Sequence, residues 1–486
     1  MITHDSKVDS PTTSSETLQE QRAQLRQIRS ELLLRHRPHI QEGAGPIRVM
    51  ARIVDELERE CRKRHMANEV IQSEIVNRTI GDVNLRLVTE CEGKPEGPDD
   101  YRSLADELGI ALPGEQLHGY TASGETYLWL RNQMMECERL LLEHNYDPRI
   151  YDIYGVGNPI LRSWLAQEML QWGLEAKGEQ VYLGIGAMDS IDKVLRGLAH
   201  MYRSQNMHIP DIGVLFPEPG FHVPEWQARL CGYHLHHFQT SPEHRFKLTG
   251  AQLEHILQEA PDIRIVYLTI TNNPTTFAYT SDELQALHTV LRQYWEKGRD
   301  IFIVADLAYI GTGKPEEDRA RMATFTEPDV LRHTIFVSSL SKTFTLTGER
   351  FGWVTCGDPA IAAVIAASWT NSVASLPGEW QLRFMAYYRL LQARPWLADK
   401  LRRFYRLRRQ RLIEQLKRLD KQYHLFEQIY IDDDATVYNW SKLRPGEDAF
   451  SLFEKTGIAG VPGSGFGYSD EYIRFSIGVI PIEKAL

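Results

Sequence analysis

Cysteine is scarce in this chain. There are five in 486 residues, Cys61, Cys91, Cys137, Cys231 and Cys356, with no Cys-x-x-Cys pair and no close, even spacing. That excludes a disulfide scaffold and suits thiols kept reduced in the cytoplasm. No apolar run approaches membrane-spanning length, and the opening stretch, MITHDSKVDSPTTSSETLQEQ, lacks the basic-then-apolar pattern of an export signal. Positive charge is not in excess. With 55 lysines and arginines against 65 aspartates and glutamates, the formal charge is −10, the wrong sign for a protein built to neutralise nucleic-acid phosphates. Walker loops, His-Glu-x-x-His, a Ser-His-Asp elbow and internal repeats are all missing. The expectation is a cytoplasmic protein with neither a membrane nor a nucleic acid as partner.

What is present is ordinary globular material, 42% hydrophobic and 25% charged, long enough for two or three domains. Residues 1–15 read as a disordered polar tail. In 16–120 amphipathic helices place Leu18, Leu25, Ile28 and Leu32 on one face, and CEGKPEGPDD, 91–100, is a turn-rich linker. The helices need a surface to cover, either the body of the protein or a partner subunit.

From about residue 120 the texture changes. QVYLGIG, DIGVLFPEPG, DIRIVYLTI, DIFIVADLAY and HTIFVSSLSK alternate with amphipathic helices. Short β-branched runs alternating with helices predict an α/β fold, a mostly parallel, doubly wound sheet, over 121–358. Residues 359–486 predict a smaller α+β C-terminal domain. Its helix WLADKLRRFYRLRRQRLIEQLKRLDKQ is basic, but Leu401, Phe404, Leu407, Leu412, Leu416 and Leu419 form an apolar stripe, so a packed helix with a solvated basic face is expected.

Polar residues collect where the strands end: Asn272-Asn273-Pro274, Asp306-x-x-Tyr309 and Ser339-x-x-Lys342. Open α/β sheets bind ligands at that edge. A lysine amine, a carboxylate and several donors there suit an anionic heteroaromatic aldehyde, and pyridoxal 5'-phosphate asks for these groups.

The spacing Ser339-x-x-Lys342-x7-Arg350-x-Gly352, with Asp-x-x-Tyr and Asn-Pro-Thr in order before it, resembles the fold-type I class I/II aminotransferases, the aspartate-aminotransferase-like group, over about residues 150–480. The resemblance implies that Lys342 forms the Schiff base and shuttles a proton, and that Asp306 pairs with the pyridinium nitrogen. It further implies that Tyr309 and Asn273 hold the ring oxygen, with Phe221 stacked on the ring. Ser339, Arg350 and the N–H groups of Ala187 and Met188 would bind the phosphate, and Arg474, in an Arg-x-Ser motif, the substrate α-carboxylate. A homodimer with shared sites, an α-amino acid substrate and ping-pong transamination with a 2-oxo acid are implied in turn. The same anchors would serve a lyase, decarboxylase, cyclase or oxidase.

Several positions depart from the family pattern. Thr276 and Thr345 stand where glycine is usual. Asp152 holds the register of the tyrosine that reaches a neighbouring subunit, with Tyr151 and Tyr154 beside it. YRSLADELGIALPG, 101–114, superficially resembles the helix-turn-helix of aminotransferase-like regulators, but no recognition helix with base-reading side chains follows it. His234 and His236 share a strand face, but no carboxylate or cysteine at nearby spacing completes a ligand set, so no metal is expected.

Overall fold

Residues 15–41, 46–81, 134–144, 146–393, 395–432 and 437–478 are described by the structure, a computed structural model of the chain. The 91–100 linker, the 101–114 segment and Cys91 lie outside them.

The five apolar runs become strands of one seven-stranded sheet: β2 (Val181–Ile185), β3 (Gly213–Glu218), β5 (Ile263–Thr269), β6 (Phe302–Asp306) and β7 (Thr334–Ser339), joined by β4 (His234–Gln239) and β8 (Phe351–Cys356). The order is β2-β8-β7-β6-β5-β3-β4. Only the pairings that involve β8 are antiparallel. The alternation of side chains explains why the central strands read as continuous apolar runs. In β5 Ile265 and Tyr267 enter one core, with Val194 and Leu198 of helix Gly186–Ser204. Val266 and Leu268 enter the other, with Leu284 and Leu287 of helix Ser281–Glu296. That second helix starts at a reciprocal cap, Thr280 with Glu283, which satisfies its first free N–H groups.

A four-stranded antiparallel sheet, β12 (Val461–Pro462), β13 (Tyr472–Ser476), β10 (Tyr438–Leu443) and β9 (Phe426–Ile429), carries the C-terminal part. The long helix Trp396–Tyr423 buries Leu401, Leu412, Leu416 and Leu419 as its stripe predicts, while the side chains of Phe404 and Leu407 are outside those described. Its basic face is not wholly solvated: Arg408 and Arg409 are buried.

The N-terminal helices α1 (Ser15–Gln41), α2 (Pro46–Lys63) and α3 (Asn68–Glu74) cover the chain's own body. Leu25, Ile28, Ile53 and Leu57 share a core with Phe450 and Phe453. After α3, β1 (Val76–Asn77) pairs in parallel with β11 (Ile458–Ala459), and residues 78–81 run on toward the edge of the large sheet.

Candidate active site

A cavity of about 520 Å³ lies where the C-terminal ends of β5, β6 and β7 meet the small sheet and the N-terminal segment. All ten residues expected at the site line it: Ala187, Met188, Phe221, Asn273, Asp306, Tyr309, Ser339, Lys342, Arg350 and Arg474. A cavity of about 670 Å³ lies behind helix Leu340–Thr343 and shares Ser339, but it lacks Lys342, Asp306, Arg350 and Arg474. The residues expected at the site surround the first.

Asp306 ends β6 with its side chain buried. Tyr267 Oη donates to Asp306 Oδ2 at 2.5 Å, and the Ala308 N–H to Oδ1 at 2.9 Å. Burial pushes this carboxyl above the usual carboxylate range, although the hydrogen bonds oppose the shift. A protonated ring nitrogen placed against it would reverse that cost. Tyr309 lies one turn on, its hydroxyl 3.1 Å from that of Tyr438, and burial raises its pKa well above the ordinary tyrosine value.

Lys342 stands on the four-residue helix Leu340–Thr343, capped by Ser339, whose Oγ accepts from the Ser341 N–H at 3.0 Å. Tyr405 Oη fixes the Lys342 carbonyl at 2.6 Å, and Lys342 Nζ donates to the Gly81 carbonyl. Arg350 lies over the start of helix Gly186–Ser204. A Cβ on Gly186 would fall 2.4 Å from Arg350 Nη2, so only glycine leaves the guanidinium and the helix N-terminus side by side. Gly186 also has φ +78°, a conformation it adopts without steric cost. Helix N–H groups, a guanidinium and two serine hydroxyls around one hollow are groups suited to an anion such as a phosphate.

Arg474, on β13, is 3% exposed and burial lowers its pKa. Nη1 donates to Asn273 Oδ1 at 2.8 Å, Nη2 donates to the Thr79 carbonyl at 2.6 Å, and the guanidinium carbon lies 4.2 Å from the Tyr438 ring centroid. Its Nε is buried without a hydrogen-bond partner. A buried guanidinium held by neutral oxygens and a ring, with its Nε–H unpartnered, fits a carboxylate ligand.

Sequence reasoning missed Thr79, Ile80, Gly81, Arg48, Tyr267 and Tyr438, the first four reaching the cavity from the N-terminal extension. Tyr267 was visible as the one hydroxyl-bearing aromatic in DIRIVYLTI. Tyr151 and Tyr154 do not reach this chain's own cavity and are 61% and 68% exposed. Asp152 holds their loop, accepting from the N–H groups of Tyr154 and Gly157 at 3.0 and 2.6 Å. Thr276 and Thr345 keep the left-handed backbone that glycine would supply, at φ +68° and +55°. Away from the cavity, His234 and His236 do meet a carboxylate, Asp262, which lies 26 residues beyond His236 in sequence.

Comparison with known proteins identifies the family. The model of the family "aminotransferase class I and II" matches residues 169–483. The LL-diaminopimelate aminotransferase of Natranaerobius thermophilus is 28% identical over 270 residues, 54% of this chain and 64% of its own length. The asparagine–oxo-acid transaminase of Streptococcus mutans is 24% identical over 338 residues, 66% and 77% of the two chains. In fold, the aspartate aminotransferase of Thermus thermophilus with maleate superposes with a TM-score of 0.62 at 19% identity, over 89% of this chain and 92% of that one. The chain belongs to the class I and II aminotransferase family, whose members are pyridoxal-phosphate-dependent transferases.

Proposed function

We propose that this family member transfers the amino group of an α-amino acid to a 2-oxo acid in two half-reactions, and that the ten cavity residues named above carry it. The observation that supports the substrate class is Arg474, buried, without a carboxylate among its described partners, and with Nε unfilled. In this reading Arg350, Ser339 and the N–H groups of Ala187 and Met188 hold the cofactor phosphate. Asp306 holds its ring nitrogen, Tyr309 and Asn273 its ring oxygen, and Phe221 covers its face.

Bound pyridoxal phosphate supplies the aldehyde that takes up the amino group and the ring that accepts the electron pair left at Cα. The protein's part is to place and protonate. Arg474 fixes the substrate carboxylate, and this sets the Cα–H bond toward Lys342. Lys342 Nζ then takes the Cα proton and returns it elsewhere in the reacting system. Lys342 Nζ donates to the Gly81 carbonyl, a contact the amine would give up to act on substrate.

We further propose a homodimer that covers the exposed loop of Ile150, Tyr151, Ile153 and Tyr154, which are 71%, 61%, 68% and 68% exposed. Such a cluster of apolar side chains on one surface loop suits an interface. A cytoplasmic location accords with the free thiols Cys61, Cys137, Cys231 and Cys356.

The test is a single-donor experiment on the loaded enzyme. Amino acids are supplied one at a time without an acceptor, and the oxo acid and ammonia released are counted per site. Transamination stops at one oxo acid per site and resumes when a second oxo acid is added. Continued release of ammonia, carbon dioxide or peroxide would overturn it in favour of elimination, decarboxylation or oxidation.

A further inference from the structure

The edge strand β4 begins with a histidine cluster on which the proposed reaction makes no demand. In the parallel pairing of β4 with β3, His234 lies beside Gly213 and His236 beside Leu215. On its other side Gly213 pairs with Ile263 of β5, directly after Asp262, and the β3–β5 register shifts between Gly213 and Val214. Asp262 and His234 therefore flank Gly213 from opposite sides, about 9.5 Å apart at two strand spacings. Their side chains nevertheless meet. His234 Nδ1 is 2.7 Å, and His236 Nε2 2.8 Å, from the same oxygen, Asp262 Oδ2. The two imidazoles lie with centroids 4.4 Å apart, inclined at 59°.

Gly213 is what lets them meet. A Cβ at this position would fall 2.8 Å from Asp262 Oδ2 and 2.9 Å from His236 Nε2. Any other residue would fill the hollow beneath the three groups. The Gly213 N–H also fixes the Asp262 carbonyl at 2.8 Å, so the carboxylate is carried on a held backbone.

We propose that His234, His236 and Asp262 form a site for one divalent transition-metal ion of zinc type. The three donor atoms lie within 4.8 Å of one another. Around a tetrahedral ion with bonds near 2.0–2.1 Å, neighbouring donors stand about 3.3 Å apart, so the nitrogens need to retreat from the oxygen by only about half an ångström. Two imidazole nitrogens and one carboxylate oxygen select zinc, nickel, copper or cobalt over calcium and magnesium, which prefer all-oxygen sets. The His234 side chain is 57% exposed, which leaves an approach for the ion and a place for water as the remaining ligand. The site lies at the N-terminal ends of β3, β4 and β5, the end of the sheet opposite the catalytic cavity. Its role is therefore structural: the ion ties the edge strand β4 to β5 across β3, and transamination does not depend on it.

The cofactor-loaded full chain is titrated with Co²⁺, followed by its visible ligand-field bands, and then with Zn²⁺ as competitor. One equivalent of Co²⁺ per chain should give bands that zinc abolishes. Affinity should fall at least tenfold in Asp262→Asn and further in His236→Gln, with transaminase activity unchanged in both. Zn²⁺ should raise the melting temperature of the wild type and not of His236→Gln. Absence of the bands at millimolar Co²⁺, or equal binding in wild type and the His234→Gln/His236→Gln double variant, overturns the site in favour of a purely hydrogen-bonded cluster or of other surface histidines. Activity in both variants shows that they are folded, so a loss of metal cannot be mistaken for a loss of structure.

Discussion

Arg474 Nη1 donates to Asn273 Oδ1 at 2.8 Å, joining β13 of the small sheet to the loop that follows β5. One contact thus links a proposed substrate anchor to a proposed cofactor anchor. Replacing Arg474 by lysine keeps the charge but loses the planar fork and leaves Asn273 Oδ1 or the Thr79 carbonyl short of a donor. The expected loss in kcat/KM is about 30- to 150-fold, the scale of roughly 2–3 kcal/mol for charge-assisted hydrogen bonds. It should fall mainly on KM for the amino acid, with pyridoxal-phosphate affinity changed much less. Steady-state kinetics beside a cofactor titration check both parts, and an unchanged KM would remove Arg474 from substrate binding.

His222 ties the helix after β3 to the turn between β12 and β13 and makes that junction pH-sensitive. Its Nδ1 lies 3.3 Å from Glu225 Oε2 and its Nε2 3.3 Å from the Ser464 carbonyl, with the Glu218 carboxylate adding its field. Both partners accept only, so both ring nitrogens must carry protons. Burial opposes that charge, but the hydrogen bonds and the Glu225 charge outweigh it, and the folded pKa stands above its ordinary value. The stabilisation is therefore complete below about pH 6.5, the unfolded value, and fades as pH rises through the folded one. The melting-temperature gap between wild type and His222→Asn should be widest near pH 6 and narrow toward pH 9. A constant gap would mean that His222 does not titrate on folding.

Thr345 and Thr276 store backbone strain. Each is a β-branched residue at positive φ, at a cost of about 1–3 kcal/mol. Thr345 is half-buried, so Thr345→Gly relieves the strain while losing little contact. After glycine's own entropic cost of about 0.5–1 kcal/mol, a net gain near 1 kcal/mol is expected. Thr276 is 4% exposed, and the packing lost in Thr276→Gly should bring that variant close to neutral. Denaturant midpoints compare the two, and destabilisation by Thr345→Gly would count against strain at that turn.

How much was legible in the sequence follows from contact range. The β-strand runs and the groups at their ends are local patterns, so Asp306, Ser339 and Lys342 could be placed at one sheet edge before any coordinates. Cavity groups that arrive from elsewhere were not. Tyr438 meets Tyr309 across 129 residues, and Lys342 meets Gly81 across 261. Neither distance leaves a periodic trace. The meeting of His234 and His236 with Asp262 was hidden for the same reason: the carboxylate is distant along the chain and close only because the sheet places β5 two strands from β4. The left-handed turns at Thr276 and Thr345 were hidden because threonine does not signal positive φ as glycine does.

Arg78 carries the last prediction, because it fixes the N-terminal segment that closes over the cavity. It is 1% exposed, donates to the Ser476 carbonyl at 3.0 Å and to Gln415 Oε1 at 2.7 Å, and sits one residue before the Thr79 carbonyl that Arg474 holds. Arg78→Ala removes a buried cation's hydrogen bonds and leaves a cavity, so a loss of about 3 kcal/mol or more is expected. Stability alone would not separate a fold role from a positioning role. If Arg78 positions residues 79–81, a conservative Arg78→Lys variant that still folds should raise KM for the amino acid several-fold while kcat changes less, because the displaced Thr79 carbonyl no longer orients Arg474. A variant that loses stability but keeps KM would assign Arg78 to the fold only. In that case Arg474 would owe its orientation to Asn273 and the Tyr438 ring.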